Sequence, residues 1–109
     1  MSYEGTDVNG LATYCRRFSE ALDGTALIIG NVQTSATSTI QNHSELDALF
    51  YVGGQRVAHN YIVATTIGGF TSSASAAETA TAGTVPLAIC VAGRAVTDWQ
   101  VTYSLSVLK

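Results

Sequence analysis

The stretch that most restricts how this chain can fold lies near its C-terminal end. Trp99, Val101, Tyr103, Leu105 and Val107 alternate with Gln100, Thr102, Ser104 and Ser106. Side chains along a strand point to opposite faces in turn, so this run makes a strand with one apolar face and one uncharged polar face. Upstream, Val85, Leu87, Ile89 and Val91 alternate with smaller residues, and a break follows around Gly93. The two runs together predict an antiparallel strand pair from Val85 to Lys109 with its apolar face turned toward a core. The remainder of the chain then has to pack against that pair.

The upstream sequence supplies the elements to do so. Leu11, Tyr14, Cys15, Phe18 and Leu22 recur at helical spacing, predicting an amphipathic helix over residues 9–23 after an extended arm at 1–8. Asp7 or Asn9 would cap its start, and Gly24 would end it. Arg16 and Arg17 then fall on a solvated face. The continuous apolar run Ala26-Leu27-Ile28-Ile29 predicts a strand buried on both faces. Gln33 to Gln41 reads as an exposed or edge strand, and Leu46 to Val52 as a further strand. Gly53-Gly54 predicts a hairpin turn, with Gln55-Arg56-Val57 as the return and another strand from Asn60 to Ile67. Thr71 to Thr84 is a Ser/Ala/Thr-rich stretch with little to anchor it and is expected to form a long surface loop. The expected fold is therefore one mainly β domain over residues 1–109. It is a small antiparallel β-sandwich or barrel of six to seven strands, with residues 25–109 forming the β domain and one N-terminal amphipathic helix covering an open side.

Composition enters through what the surface must be made of. Charged residues are 12% of the chain, against about 25% in an average domain. No charge occurs from Thr25 to Ser44, and only Glu78 from Val57 to Gly93. A small domain keeps itself apart from its neighbours with mixed surface charge, and loss of charge marks the cores of protein–protein interfaces. A net charge of −3 without a basic stripe argues against nucleic-acid binding. No apolar run approaches the roughly 20 residues of a membrane-spanning helix, and Met1-Ser2-Tyr3-Glu4 lacks the basic start and apolar core of a secretory leader. Assembly in the cytoplasm is the expectation. Cys15 and Cys90 are too few for a disulfide framework and are expected as free, buried thiols.

Candidate chemistry is sparse. His43, Glu45 and Asp47 could contribute to a metal site, but three nearby donors on an extended chain do not by themselves converge. Cys15 with His43 or His59 could form a nucleophile and base, yet Cys15 belongs to the apolar set. The glycine pairs lack the lysine and the following helix of a phosphate loop. Trp99 and Tyr103 could stack on a sugar, but both lie on the face expected to form the core. No cofactor is implied, and a non-enzymatic role is expected.

The sequence thus points to a structural subunit of a symmetric homo-oligomer that binds copies of itself and other assembly proteins. By architectural analogy it would be a virion component such as a bacteriophage shell, decoration or tail-accessory protein. The candidate subunit interface is the uncharged column Gln100, Thr102, Ser104 and Ser106. The alternative is a ligand-binding β module, such as a carbohydrate-binding domain, using the 71–84 loop and an exposed Tyr.

Overall fold

A computed structural model describes all of Met1–Lys109 and contains eight strands and no helix. In chain order they are β1 (Ser2–Thr6), β2 (Ala12–Leu22), β3 (Ala26–Ser38), β4 (Glu45–Val52), β5 (Gln55–Val63), β6 (Gly68–Ala80), β7 (Gly83–Arg94) and β8 (Val96–Leu108). They form two antiparallel sheets, one of five strands ordered β1-β2-β7-β4-β5 and one of three ordered β6-β3-β8. The sheets face each other across a core built from Ile28, Val32, Ala48, Phe50, Ala74, Leu87, Ile89 and Val91.

The connectivity has a simple logic. A long hairpin rolled into two layers pairs first strand with last, second with seventh, third with sixth and fourth with fifth, which is the jelly roll. Here β4 pairs with β5, β3 with β6 and β2 with β7. The missing pair is β1 with β8. Instead β1 turns back onto β2, and the outer edge of β8 is left without a neighbour.

The expected helix at 9–23 is strand β2, and its misreading has a physical cause. Tyr14, Phe18 and Leu22 do alternate toward the interior, but Arg16 and Glu20 share that inner face. The three-stranded sheet covers β2 only in part, so Arg16 and Glu20 tolerate charge and the period-two signal is broken. Leu11, counted in the helical set, lies outside the strand in the turn between β1 and β2, fully buried. The 1–8 arm is largely β1.

Four further expectations are corrected. The 71–84 loop is strand, most of it β6, which pairs with β3 continuously from Gly68 to Ala80. Its small side chains suit a narrow inter-sheet space: Ser72 and Ala74 point inward and are buried. The Ala26–Ile29 run is buried on one face only, with Leu27 and Ile29 more than a third exposed. It continues through the Gln33–Ser38 segment as β3, which is the centre of its sheet rather than an edge. The predicted C-terminal pair forms as two strands in opposite sheets. The chain crosses between them at Ala95, whose φ of 56° is costly for a residue with a Cβ. Its carbonyl is held there by Thr39 N–H at 3.1 Å, Thr39 Oγ1 at 2.8 Å and Ser44 Oγ at 2.5 Å. Apolar residues of β7 and β8 therefore meet across the core instead of side by side. The Gly53-Gly54 hairpin forms as expected, with φ values of 63° and 81°.

Cys15 and Cys90 are directly opposite on β2 and β7 and form a disulfide, with Cα atoms 4.1 Å apart. The expectation of free thiols fails because their strands are neighbours in one sheet. The bond closes a loop of 75 residues in sequence, so replacing both cysteines by serine should cost about 2–4 kcal/mol in denaturant unfolding.

Two aromatic rings fix the spacing of the layers. The Phe50 ring of β4 lies where a Cβ on Gly30 of β3 would stand, and the Trp99 ring of β8 lies about 3.0 Å from such an atom on Gly93 of β7. Each sheet thus seats its large ring on a glycine of the other. Gly30→Ala should destabilise the domain by about 1–3 kcal/mol through overpacking, and Phe50→Leu in the same chain should recover part of the loss, both read by urea denaturation.

Candidate subunit interface

Gln100, Thr102, Ser104 and Ser106 all lie on the outer, exposed face of β8. The sheet brings two further columns beside them. Across from β8, the register sets Ser35 against Gln100, Gln33 against Thr102, Asn31 against Ser104 and Ile29 against Ser106. On the other side of β3, Thr71, Ser73, Ser75 and Ala77 complete the same rows. One end of the face turns apolar, where Leu27, Ile29 and Leu108 are 38%, 39% and 55% exposed. No outward residue from Leu27 to Ser35, Thr71 to Thr79 or Gln100 to Leu108 carries a charge. The amides and hydroxyls in these rows make no side-chain hydrogen bonds within the chain, so their donors and acceptors are turned to the outside.

The outer face of the five-stranded sheet is chemically opposite. The Arg94 guanidinium and the Tyr61 hydroxyl both donate to the carboxylate of Glu45. That bond to an anionic acceptor holds the Tyr61 hydroxyl above its ordinary pKa, because losing the proton would put two negative groups together. Arg17 donates to Glu4 of β1, which holds the Glu4 carboxyl below the usual range. Asp7 Oδ1 accepts from the backbone N–H groups of Asn9 and Leu11 at 2.8 and 3.0 Å, fixing the turn that seats Leu11 over the sheet. Leu11, Leu49, Ala88, Ala92 and the disulfide form a second small apolar cluster beneath this layer. Beside it, a shallow depression of about 320 Å³ is lined by Glu4, Asp7, Thr13, Arg17 and Tyr51.

These polar groups are mostly spent on one another. Asp47 is the exception. It is 5% exposed, its Oδ1 has no hydrogen-bond donor, and His59 Nδ1 stands 3.4 Å away. Burial disfavours the charged form and raises its pKa, with His59 opposing the shift.

The residues considered for chemistry are not brought into a site. Glu45 and Asp47 share one face of β4, but no group of three metal-ligating side chains converges anywhere in the chain. Cys15 is tied up in the disulfide and cannot serve as a thiol nucleophile. The Trp99 indole N–H donates to Thr34 Oγ1, and its ring meets Tyr14 edge-on at 5.4 Å, so it packs rather than displays. Tyr103 lies at the sheet edge, 37% exposed, beside Phe18 and Arg16. Sequence reasoning found the β8 column by its alternation. It missed the β6 column, although Thr71, Ser73 and Ser75 alternate with smaller or apolar residues in the same manner. In comparisons with family models, curated proteins and solved structures, the chain matches none.

For Asp47 the sign of the pH effect follows directly. Below the ordinary carboxylate range both folded and unfolded chains hold the proton, and the residue costs nothing. As pH rises the unfolded chain releases its proton first, so stability falls until the raised folded pKa is passed. Asp47→Asn should therefore unfold about 1 kcal/mol harder than the parent chain at pH 7, with the gap closing toward pH 3 in parallel denaturant titrations.

Proposed function

We propose that this chain is a non-enzymatic structural subunit of a symmetric assembly, of the kind found in virions as a bacteriophage shell, decoration or tail-accessory protein. The observation that carries this reading is the uncharged three-column face of β6, β3 and β8. Such a face carries little of the charge repulsion that keeps small domains apart, and its charge depletion is what interface cores share. Its unpaired amides and hydroxyls supply hydrogen bonds to a partner, and Leu27, Ile29 and Leu108 supply apolar area at one end. A specific interface of standard size buries about 1,600 Å² over both partners, and a ring or shell repeats that contact around a closed symmetry.

The rolled-hairpin connectivity supports the virion assignment by analogy, since jelly rolls recur in capsid proteins. The disulfide fits a particle that leaves the cell, because such bonds persist in oxidising surroundings and are rare in the cytosol. The carbohydrate-binding alternative loses its loop, most of which is strand β6, and keeps only exposed tyrosines such as Tyr61 and Tyr103, which lie in different sheets.

Thr102→Lys with Ser104→Lys places two charges in the middle of the face, on side chains that already point outward. The double variant should unfold within about 0.5 kcal/mol of the parent chain and should sediment as a monomer at concentrations where the parent associates. Persistence of the oligomer in the double variant would move the interface off this face, and a parent chain that stays monomeric at high concentration would sink the proposal.

A further inference from the structure

The side of the sandwich where β1 and β8 fail to pair is an open step. Its wall is the unpaired edge of β8, and its floor is the inner face of β2, which β8 meets only along its rim, through Trp99 against Tyr14, Tyr103 against Phe18 and Lys109 against Glu20. The groove between them has a volume of about 370 Å³ and is lined chiefly by Tyr14, Arg16, Trp99, Val101 and Tyr103. Inward-facing Trp99, Val101, Leu105 and Val107 are only half-buried there, whereas Ile28 and Val32 on the neighbouring strand are fully buried. A layer of core is laid out on two sides and missing its third.

We infer that this step receives β1 of a second copy, so that neighbouring subunits complete each other's sandwich by exchanging N-terminal strands. The inference rests on the subunit reading above and names the contact. Three observations select this occupant. In the rolled hairpin the strand that belongs beside β8 is the first one, and it is the only pairing the chain does not make for itself. The edge of another intact sandwich does not fit, because β1 and β2 overhang β8 in the opposite layer. Strands lie about 4.8 Å apart and layers about 10 Å apart, so a second double-layered edge would run into that overhang while a single strand would not. The charges also match. Arg16 projects into the step over the rings of Phe18 and Tyr103 and has no carboxylate partner, and β1 carries Glu4 on the face of the strand opposite Tyr3.

Within one chain β1 is lightly held. It is exposed along most of its length, pairs with β2 through a shifted register, and is joined by the exposed Glu4–Arg17 ion pair. The Asp7–Leu11 turn, with Gly10 at a φ of 81°, is the natural hinge.

Two adjacent arginines separate the inference from a general effect on stability. Arg17 holds β1 on its own chain, from the outer face; Arg16 awaits it in the neighbour, on the inner face. Arg17→Ala should release the arm and move the association midpoint in sedimentation to lower concentration, by up to about fivefold, the worth of an exposed ion pair. Arg16→Glu should move it at least as far the other way. Hydrogen exchange on the full chain should show the β8 edge amides gaining protection as the oligomer forms, more in Arg17→Ala and less in Arg16→Glu. An oligomer whose midpoint shifts the same way in both variants, or not at all, or whose β8 edge amides stay unprotected, overturns strand exchange and leaves the subunit reading standing. A parent chain that never associates overturns both.

Discussion

The two layers of this sandwich are unequal, three strands facing five, and most of the molecule's particular features follow from that mismatch. A three-stranded sheet can cover only the middle of a five-stranded one. Beneath it β7 and β4 carry the apolar positions Leu87, Ile89, Val91, Ala48 and Phe50, all 2% exposed or less. Beyond it, β2 keeps Arg16 and Glu20 on the same inner face that holds Tyr14 and Phe18. The covered part is packed tightly enough that Phe50 and Trp99 need glycines opposite them. The uncovered part is held by aromatic edges and a cation over rings, a looser arrangement that water can enter.

The same mismatch explains what could be read from the sequence. The β8 alternation was legible because from Trp99 to Val107 its outward side chains are all polar and uncharged and its inward ones all large and aliphatic or aromatic, so the pattern follows the pleat. The Gly53-Gly54 turn was legible because positive φ is a local demand. β2 was not, because a strand that runs off the end of its covering layer loses period-two patterning while Leu11, Cys15 and Phe18 mimic a helical stripe. β6 was not, because the middle of its inner face is Ser72, Ala74 and Ala76, and residues too small to mark a core read as a loop. The disulfide depended on the strand order, which one sequence does not contain. Of the candidate interface, one column of three was visible; the others required the β3 registers.

The two outer faces divide the labour of solubility and contact. The five-stranded sheet carries the ion pairs and the charged turn, each largely satisfied within the chain: Arg94 and Tyr61 on Glu45, Arg17 on Glu4. Such self-paired charge costs little to leave in water and has little to offer a partner. The three-stranded sheet carries no charge on its outward rows from Ser35 to Leu27, with Asp98 beyond them at one end, and leaves the amides and hydroxyls of those rows unspent. In the proposed assembly, the first face would suit solvent or a lumen and the second would suit contact.

Edge management argues the same way. A sheet edge with free N–H and C=O groups invites pairing, and proteins blunt it with short strands, bulges, charge or cover. β1 is short and irregular in register. β5 carries Arg56 and His59 and a register shift opposite Phe50 and Tyr51. β6 is bridged sideways to β5, where the Ser72 hydroxyl donates to the Asn60 carbonyl. β8 has these protections only at its start, where Asp98 and a register shift fall: from Trp99 to Leu108 it has no proline and no charge, and it pairs with β3 without interruption from Gln100 onward. Three edges are closed by the chain's own means and one is left open along its whole regular length. The open edge is also the one bordered by half-buried apolar side chains and an arginine without a carboxylate partner, which is the combination that the proposed strand exchange would use.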